Sequence, residues 1–181
     1  MDLGGITALS IAVAIIFSFF GMLRRAEVIA LRYGDVKVFN DRIVITVLFS
    51  KTNPKPHEIT LFARTDILCP VKAWLVYRKL LNPNNSRIKP AAQAFMVAET
   101  RVLSYGFLNI SFKSLVEKVL HLNPKCYSIH SLRRSGATAL HSVGIPDSVI
   151  KSMGRWKSLA FLKYLVISID TIKSALLEIK A

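Results

Sequence analysis

The apolar run at residues 6–23 constrains the fold more than any other stretch, because a helix that is hydrophobic on all sides must be buried. The run is as long as a membrane span and lies near the amino terminus, where a signal peptide would stand. No basic region precedes it, however, and the hydroxyl groups of Thr7, Ser10 and Ser18 dilute its apolar character. It then leads directly into the charged segment that begins at Arg24. We therefore predict a buried core helix, with a membrane span as the alternative.

Patterns typical of short strands follow this run. β-branched residues alternate or cluster over residues 36–39, 42–49 and 57–61. Turn-forming residues separate these segments at Asn40-Asp41 and around Pro54. We therefore predict three antiparallel strands connected as a meander.

Helical patterns cover most of the remaining chain. Pro70 suits the first turn of a helix that ends near residue 81, in which Trp74 is expected to pack in the core rather than on a base. Further helical patterns cover residues 104–120 and 128–164. The apolar residues of the first of these two patterns are Phe107, Ile110, Phe112, Leu115, Val116 and Val119. The sequence thus predicts an α+β fold that is mainly α, and we expect residues 1–181 to form a single domain.

The charge of the chain is strongly unbalanced. Lys and Arg number 25 against 11 Asp and Glu, which gives a formal net charge of +14. Such an excess favours a polyanionic partner, with nucleic acid the first candidate and an anionic membrane surface the alternative. Cys69 and Cys126 form no Cys-x-x-Cys motif, so neither a disulfide framework nor a zinc site is indicated. The scarcity of acidic residues also disfavours a two-metal nuclease site.

Two segments concentrate candidate functional side chains. In residues 128–164, His130 and Arg133 stand three positions apart, so on a helix they share a face and can converge on one ligand. We expect that ligand to be an anion. Residues 21–36 also show helical spacing and carry Arg24 and Glu27 three positions apart. An ordinary surface ion pair is the alternative to a functional role for those two residues.

Both segments resemble conserved boxes of the tyrosine recombinases, also called phage-type integrases. In the family's second box, a His-x-x-Arg helix precedes a Gly-containing turn with His or Trp and then a nucleophilic Tyr. Residues 128–164 supply His130 to Arg133, the turn Gly154-Arg155-Trp156, and Tyr164. Residues 21–36 resemble the first box, written loosely as Gly-x-x-Arg-x-x-Glu. The sequence of residues 128–164 is most similar to recombinases of eukaryotic or viral mobile elements.

The resemblance implies a helical catalytic core with a small three-stranded antiparallel sheet, and it implies roles for particular residues. Arg24 and Arg133 would bind the oxygens of one DNA phosphate, and Tyr164 would attack the phosphorus to form a 3′-phosphotyrosine. Lys51 stands on the predicted β-hairpin where the family keeps a catalytic lysine, although an ordinary turn lysine is the alternative. Neither a metal nor another cofactor is implied.

At the remaining family positions, either the role of the residue or the choice of residue has more than one option. His130 would donate a hydrogen bond to the phosphate or take the proton from the tyrosine, and Glu27 would brace the site. Trp156 lies one residue closer to Tyr164 than the His or Trp of the best-known members, and Arg155 occupies the expected spacing. Either could fill that position, and we favour Trp156 because an indole N–H can donate to a phosphate oxygen.

The resemblance also implies double-stranded DNA as the partner and a homo-oligomer, a tetramer, assembled on it. Recombinases of this family usually carry a DNA-clamping domain ahead of the catalytic one, and we expect this chain to lack that domain. A catalytically idle DNA-binding remnant and a type IB topoisomerase-like enzyme are the functional alternatives. The compartment would be the nucleus in a eukaryote, and otherwise the cytoplasm or a virus-associated site.

Overall fold

The computed structural model describes residues 3–48, 55–82, 88–97 and 101–165. Within these ranges three strands lie between the second and third of the α-helices. The elements in chain order are α1 (Leu3–Phe20), α2 (Arg25–Ala30), β1 (Val36–Val38), β2 (Arg42–Val47), β3 (His57–Phe62), α3 (Pro70–Leu81), α4 (Tyr105–Lys118), α5 (Ile129–Ser142) and α6 (Asp147–Met153). Short 3-10 turns cover Tyr33–Asp35, Pro124–Cys126 and Leu159–Tyr164. The predicted α+β, mainly α fold is confirmed.

Helix α1 is the central element of the core. It packs against α3 and α5, and the side chains of Val13, Ala14 and Phe17 are fully buried. The rings of Trp74 and Phe95 lie 5.8 Å and 6.0 Å from the Phe17 ring, centroid to centroid. Trp74 is therefore a core residue, as predicted. The apolar run is a buried helix, and no helix within the described ranges has the length and hydrophobicity to cross a bilayer.

The chain breaks out of the helical conformation after α1, earlier than its apolar pattern predicts. Met22 has a φ of 45°, in the left-handed region, and Arg24 is extended with φ −74° and ψ 152°. The predicted helical spacing across residues 21–36 is therefore realised only in the short helix α2. A 3-10 turn follows at Tyr33–Asp35, in which the Asp35 carboxylate accepts from the Arg32 backbone N–H at 2.9 Å.

The three strands form an antiparallel sheet in the order β1-β2-β3, as the meander prediction required. The register pairs Val38 with Ile43 and Val47 with His57. Central strand β2 buries Ile43, Val44 and Ile45. Strands β1 and β2 are shorter than predicted, and β3 extends to Phe62.

The buried face of α4 includes only some of the apolar residues that give the helix its pattern. Leu108, Phe112 and Val116 are buried, whereas Ile110 and Val119 are 69% and 63% exposed. The apolar residues of α4 occupy more than one face, and only a narrow face packs on the rest of the protein. Ile110 and Val119 therefore follow the helical spacing of apolar residues without being part of the core.

Helices α1 and α5 approach each other at Gly136. A Cβ at this position would lie 2.3 Å from the carbonyl oxygen of Phe19 and 3.1 Å from the Cγ of Met22. Because the nearest atom belongs to the backbone, the helices could accept a methyl group only by separating. This contact positions α5 against the loop between α1 and α2.

Replacing Gly136 by alanine is expected to lower the free energy of unfolding by about 2 to 3 kcal/mol, since overpacking a close contact forces backbone shifts. Urea unfolding followed by circular dichroism measures the change. Gly106→Ala is the matched control, because a Cβ there meets no atom within 4 Å and should leave stability unchanged or slightly raised. Equal effects of the two substitutions would contradict the proposed close contact.

Candidate active site

The carbonyl group of Met22 joins parts of the chain that are far apart in sequence. Met22 lies between α1 and α2, and its oxygen accepts a hydrogen bond from the Arg133 guanidinium of α5, 111 residues away. The same oxygen accepts from Nη2 of Arg155 at 3.1 Å, 133 residues away. The left-handed conformation of Met22 turns the chain sharply between α1 and α2, where this carbonyl lies. Non-glycine residues in this conformation are uncommon and concentrate at functional sites.

The carboxylate of Glu27 forms the second junction of the site. Its side chain is only 1% exposed and lies between two guanidinium groups. Oε1 accepts from Nη1 of Arg24 at 2.8 Å, and Oε2 accepts from Nη2 of Arg155 at 3.0 Å. The backbone N–H of Arg24 also donates to Oε2, at 2.8 Å. Arg24 and Glu27 are thus not an ordinary surface ion pair, because the carboxylate is buried and bridges two segments.

The electrostatics of this junction favour the ionised carboxylate. Burial by itself raises the pKa of Glu27, but the charge of Arg155 and the hydrogen bonds and charge of Arg24 outweigh it, so the pKa lies below its ordinary value of 4.5. Burial lowers the pKa of Arg155, whereas the Glu27 carboxylate raises it in part. The Glu27 carboxylate is therefore ionised near neutral pH, and its negative charge favours the charged form of Arg155.

Arg133 is buried, with an exposed fraction of only 2%. Its guanidinium donates to the carbonyl oxygens of Met22 and Gly154. The ring of Trp156 covers the guanidinium, with 4.4 Å between Cζ and the ring centroid. Trp156 is itself half-buried and stacks on Phe161 at 5.3 Å between centroids, with an interplanar angle of 24°. An arginine in this environment is held by both hydrogen bonds and a cation–π contact.

The turn at residues 154–156 sends two adjacent side chains to different partners. Arg155 has a left-handed φ of 57°, and its guanidinium reaches Glu27 and the carbonyls of Gly21, Met22 and Met153. Trp156 packs over Arg133 instead. Glycine at position 154 leaves room for the Trp156 ring, because a Cβ there would lie 1.6 Å from its Cζ3. Both candidates for the uncertain family position therefore lie in the site, with different contacts.

His130 lies at the start of α5 on the exposed rim of the site. Capping interactions hold this helix end in place: the Ser128 N–H donates to the Ser131 hydroxyl at 3.1 Å, and the Ile129 N–H donates to the Asn109 side chain at 3.1 Å. Partial burial lowers the pKa of His130, and the positive charges of neighbouring arginines lower it further. These arginines are Arg133, Arg134, Arg25 and Arg24. The imidazole is therefore neutral near pH 7 and can accept a proton.

The remaining candidates are placed less completely. Lys51 lies between β2 and β3, outside the described residues. The backbone of Tyr164 ends the 3-10 turn Leu159–Tyr164, and its side chain lies outside the described part of the chain. Arg25 points to another face, with its Cζ 5.0 Å from the centroid of the Tyr105 ring.

His57 is a neighbour of the site that the sequence alone does not reveal. It begins β3, half-buried, and lies close enough to Arg155, Glu27 and Arg24 to interact with their charges. Burial and the charge of Arg155 are the main causes that lower its pKa, so the imidazole is neutral near pH 7. No sequence spacing links position 57 to Glu27 or Arg155, because the contact depends on how the sheet packs.

The arrangement as a whole can bind an anion. Arg24 lies on Glu27 and Arg133 on the Met22 carbonyl, and Arg155 links the two because it bonds to both acceptors. Arg24 and Arg133 are also both close enough to His130 to lower its pKa. Among the described residues, no group of three His, Cys, Asp or Glu side chains is placed to hold a metal ion. Forked guanidinium groups match the oxygens of a phosphate.

Comparison with known proteins gives one family. Residues 7–165 match the family described as the phage integrase family. The fold is similar to the XerA recombinase, with a TM-score of 0.71 and 17% identity over 99% of this chain and 61% of that one. It is also similar to the XerH site-specific recombinase in a post-cleavage complex with a palindromic difH substrate, with a TM-score of 0.65 and 20% identity over 91% and 44% of the chains.

A third similar structure is the Tn1549 transposon integrase in complex with transposon right end DNA, with a TM-score of 0.62 and 17% identity over 94% of this chain and 58% of that one. Identities this low show a shared fold. The chain spans about half the length of these structures. Among curated proteins, none matches the sequence.

Proposed function

This chain belongs to the phage integrase family, and from that premise we propose that it is a site-specific DNA recombinase that cleaves and rejoins strands through a 3′-phosphotyrosine intermediate. The observation that carries the proposal is the meeting of two distant segments at the Met22 carbonyl and the Glu27 carboxylate. These contacts link the segments that carry Arg24 and Arg133, the two arginines that the family resemblance assigns to the phosphate. The net charge of +14 supports a DNA partner.

The arginines would stabilise the phosphate during the reaction. A DNA phosphodiester reacts slowly because its oxygens repel a nucleophile, so a catalyst must neutralise them as the phosphorus becomes five-coordinate. Arg24 and Arg133 would each donate to the non-bridging oxygens, and Trp156 would add its indole N–H. Glu27 and Arg155 would hold Arg24 in place through the buried ion pairs.

The chemical step exchanges one ester bond for another. The Tyr164 oxygen attacks the phosphorus, and the bond from phosphorus to the 5′-oxygen breaks. The phenolic proton passes to neutral His130, and Lys51 protonates the leaving 5′-oxygen. The resulting 3′-phosphotyrosine keeps the energy of the phosphodiester, so a 5′-hydroxyl can reverse the reaction and rejoin the strand without ATP.

Exchange of strands between two DNA sites requires more than one active site. Two duplexes, each cut on both strands, present four scissile phosphates. We therefore propose a tetramer of this chain on paired DNA sites, each protomer acting on one phosphate.

Covalent capture of DNA tests the proposal. The protein is incubated with a pool of nicked suicide duplexes of randomised sequence, which release the 5′-hydroxyl fragment and trap the intermediate. A DNA–protein species that survives SDS is the expected result.

Two other outcomes would each indicate one of the alternative functions. DNA binding with a steep salt dependence and no adduct across the pool would identify a catalytically idle remnant. Relaxation of supercoiled DNA without any partner site would identify a type IB topoisomerase-like enzyme.

Replacing Arg24 by alanine is expected to slow adduct formation by about 10²- to 10³-fold, as for the loss of one donor to a transition-state oxyanion. DNA affinity should fall far less, because the charge of Arg24 matters most when the phosphorus becomes five-coordinate. Single-turnover rates at saturating protein measure the first quantity, and salt titrations of binding measure the second.

Arg25→Ala is the matched control for this prediction. It removes the same charge from the next residue, whose guanidinium packs on the Tyr105 ring. It should weaken DNA binding and slow the adduct rate at saturation far less than Arg24→Ala does, because the charge of Arg25 reaches the site only through its effect on the pKa of His130. If both variants slowed the chemical step equally, Arg24 would have no special role.

A further inference from the structure

The covered state of Arg133 conflicts with the role of a phosphate-binding residue. Its guanidinium is almost fully buried, and the Trp156 ring lies over it at 4.4 Å. We propose that this structure is the closed state of the phosphate site, in which Trp156 is a lid that must move before a phosphate reaches Arg133. The inference rests on the proposed function, since it concerns how the same site is opened.

In the closed state, carbonyl oxygens occupy the donors of Arg133 that would otherwise bind phosphate oxygens. The carbonyl oxygens of Met22 and Gly154 each accept from one arm of the guanidinium. Two N–H groups on neighbouring arms are the donors that a phosphate would take in a forked arrangement. Hydrogen bonds between ionised partners are stronger than those to neutral carbonyls, so a phosphate can replace the two carbonyls once it gains access.

The lid is held by contacts that can be broken one at a time. Trp156 stacks on Phe161, and the edge of its ring lies directly against Gly154, where only a hydrogen leaves room for it. The preceding residue is anchored independently, because Arg155 bonds to Glu27 and to the Gly21 and Met22 carbonyls. The indole can therefore swing away by side-chain rotation while the turn stays fixed.

Chemical labelling of arginine tests the lid in the absence of DNA. Phenylglyoxal is added to the folded protein, and the labelling rates of Arg133 and its exposed neighbour Arg134 are compared by mass spectrometry. In the wild type, Arg133 should react at least about tenfold more slowly than Arg134, because a minor open state is populated to about 0.1–10%. In Gly154→Ala, the added Cβ excludes the closed position of the ring, so Arg133 should react nearly as fast as Arg134. Inorganic phosphate should then protect it.

Gly106→Ala is the control, because a Cβ there meets no atom within 4 Å, and it should label as the wild type does. Equal labelling of Arg133 and Arg134 in the wild type would overturn the proposal. So would slow labelling of Arg133 in a folded Gly154→Ala variant. These readouts use no DNA, so a missing covalent adduct together with the expected labelling would refute the recombinase proposal alone.

A measurement on the wild type covers the case in which Gly154→Ala does not fold. The protein is labelled with 5-fluorotryptophan, and the Trp156 resonance is assigned by its loss in Trp156→Phe. On addition of inorganic phosphate, the Trp156 fluorine signal should move, whereas that of Trp74, buried in the core, should not. A Trp156 signal that stays fixed at saturating phosphate would overturn the lid.

Discussion

Replacing Tyr164 by phenylalanine is expected to abolish the SDS-resistant DNA adduct completely. The substitution removes only the phenolic oxygen, which in the proposed reaction is the atom that bonds to phosphorus. The phenyl ring that remains has no atom that can form this bond. Gel electrophoresis of the suicide-substrate reaction in SDS measures the loss, and salt-dependent binding of the same duplexes should be retained.

Tyr127→Phe is the matched control for this result. Tyr127 is half-buried just before α5, close to the site in sequence, and its oxygen has no part in the proposed reaction. This variant should form the adduct as the wild type does. An adduct that persists in Tyr164→Phe, or that disappears in Tyr127→Phe, would assign the nucleophile to another residue.

Replacing Glu27 by glutamine is expected to lower the free energy of unfolding at pH 7 by about 3 to 5 kcal/mol, as for a buried ion pair that loses one partner. The neutral amide leaves the Arg155 guanidinium, whose side chain is 15% exposed, without its counter-charge. Arg24 loses its partner as well. Urea unfolding measures the change. Adduct formation should fall too, because Arg24 is no longer held.

The exposed pair Asp41–Arg42 provides a control of similar geometry. Its N···O distance is 2.9 Å, but the Asp41 side chain is 61% exposed. Asp41→Asn should therefore leave the free energy of unfolding nearly unchanged, because solvent screens such pairs. Equal effects of the two amide substitutions would show that burial of Glu27 does not increase the contribution of its ion pairs to the free energy of unfolding.

The effect of Glu27→Gln should also depend on pH in a defined direction. Because the pKa of Glu27 in the folded protein lies below its ordinary value of 4.5, the folded state favours the ionised carboxylate. Its stabilisation is complete above that ordinary value and is lost as the pH falls through the lower, folded-state pKa. The stability difference between wild type and variant should thus be constant from pH 6 to 8 and shrink below pH 4.5. A difference that grows in acid would contradict the assigned sign.

Much of the fold follows from local sequence patterns. The apolar run carries no charge and indicates a buried helix, and α1 is the core helix. Alternating β-branched residues separated by turn residues specify the meander, and Pro70 begins α3 where its fixed φ fits a first turn. Each of these signals is carried by neighbouring residues. The apolar residues of α4 were misleading because hydrophobicity alone does not tell which of several faces finds a partner.

The contacts of the site could not be predicted in the same way. The spacing of Arg24 and Glu27 indicates that they interact, but not that Arg155 completes the pair from 128 residues away. The pattern around Arg133 indicates an anion ligand and gives no sign of burial beneath Trp156. Both features depend on the path of the loop between α1 and α2. The left-handed residue of this loop, Met22, is not a glycine, so the sequence does not indicate its conformation.

The long sequence separation within the site has a consequence for biosynthesis. Arg133 and Met22 are 111 residues apart, and Arg155 and Glu27 are 128 apart. A ribosome adding about 5–20 residues per second exposes the first segment several seconds before the last one exists. During that interval the two segments that form the proposed site cannot meet. A chain released by a premature stop codon before Arg133 would therefore lack the proposed site altogether.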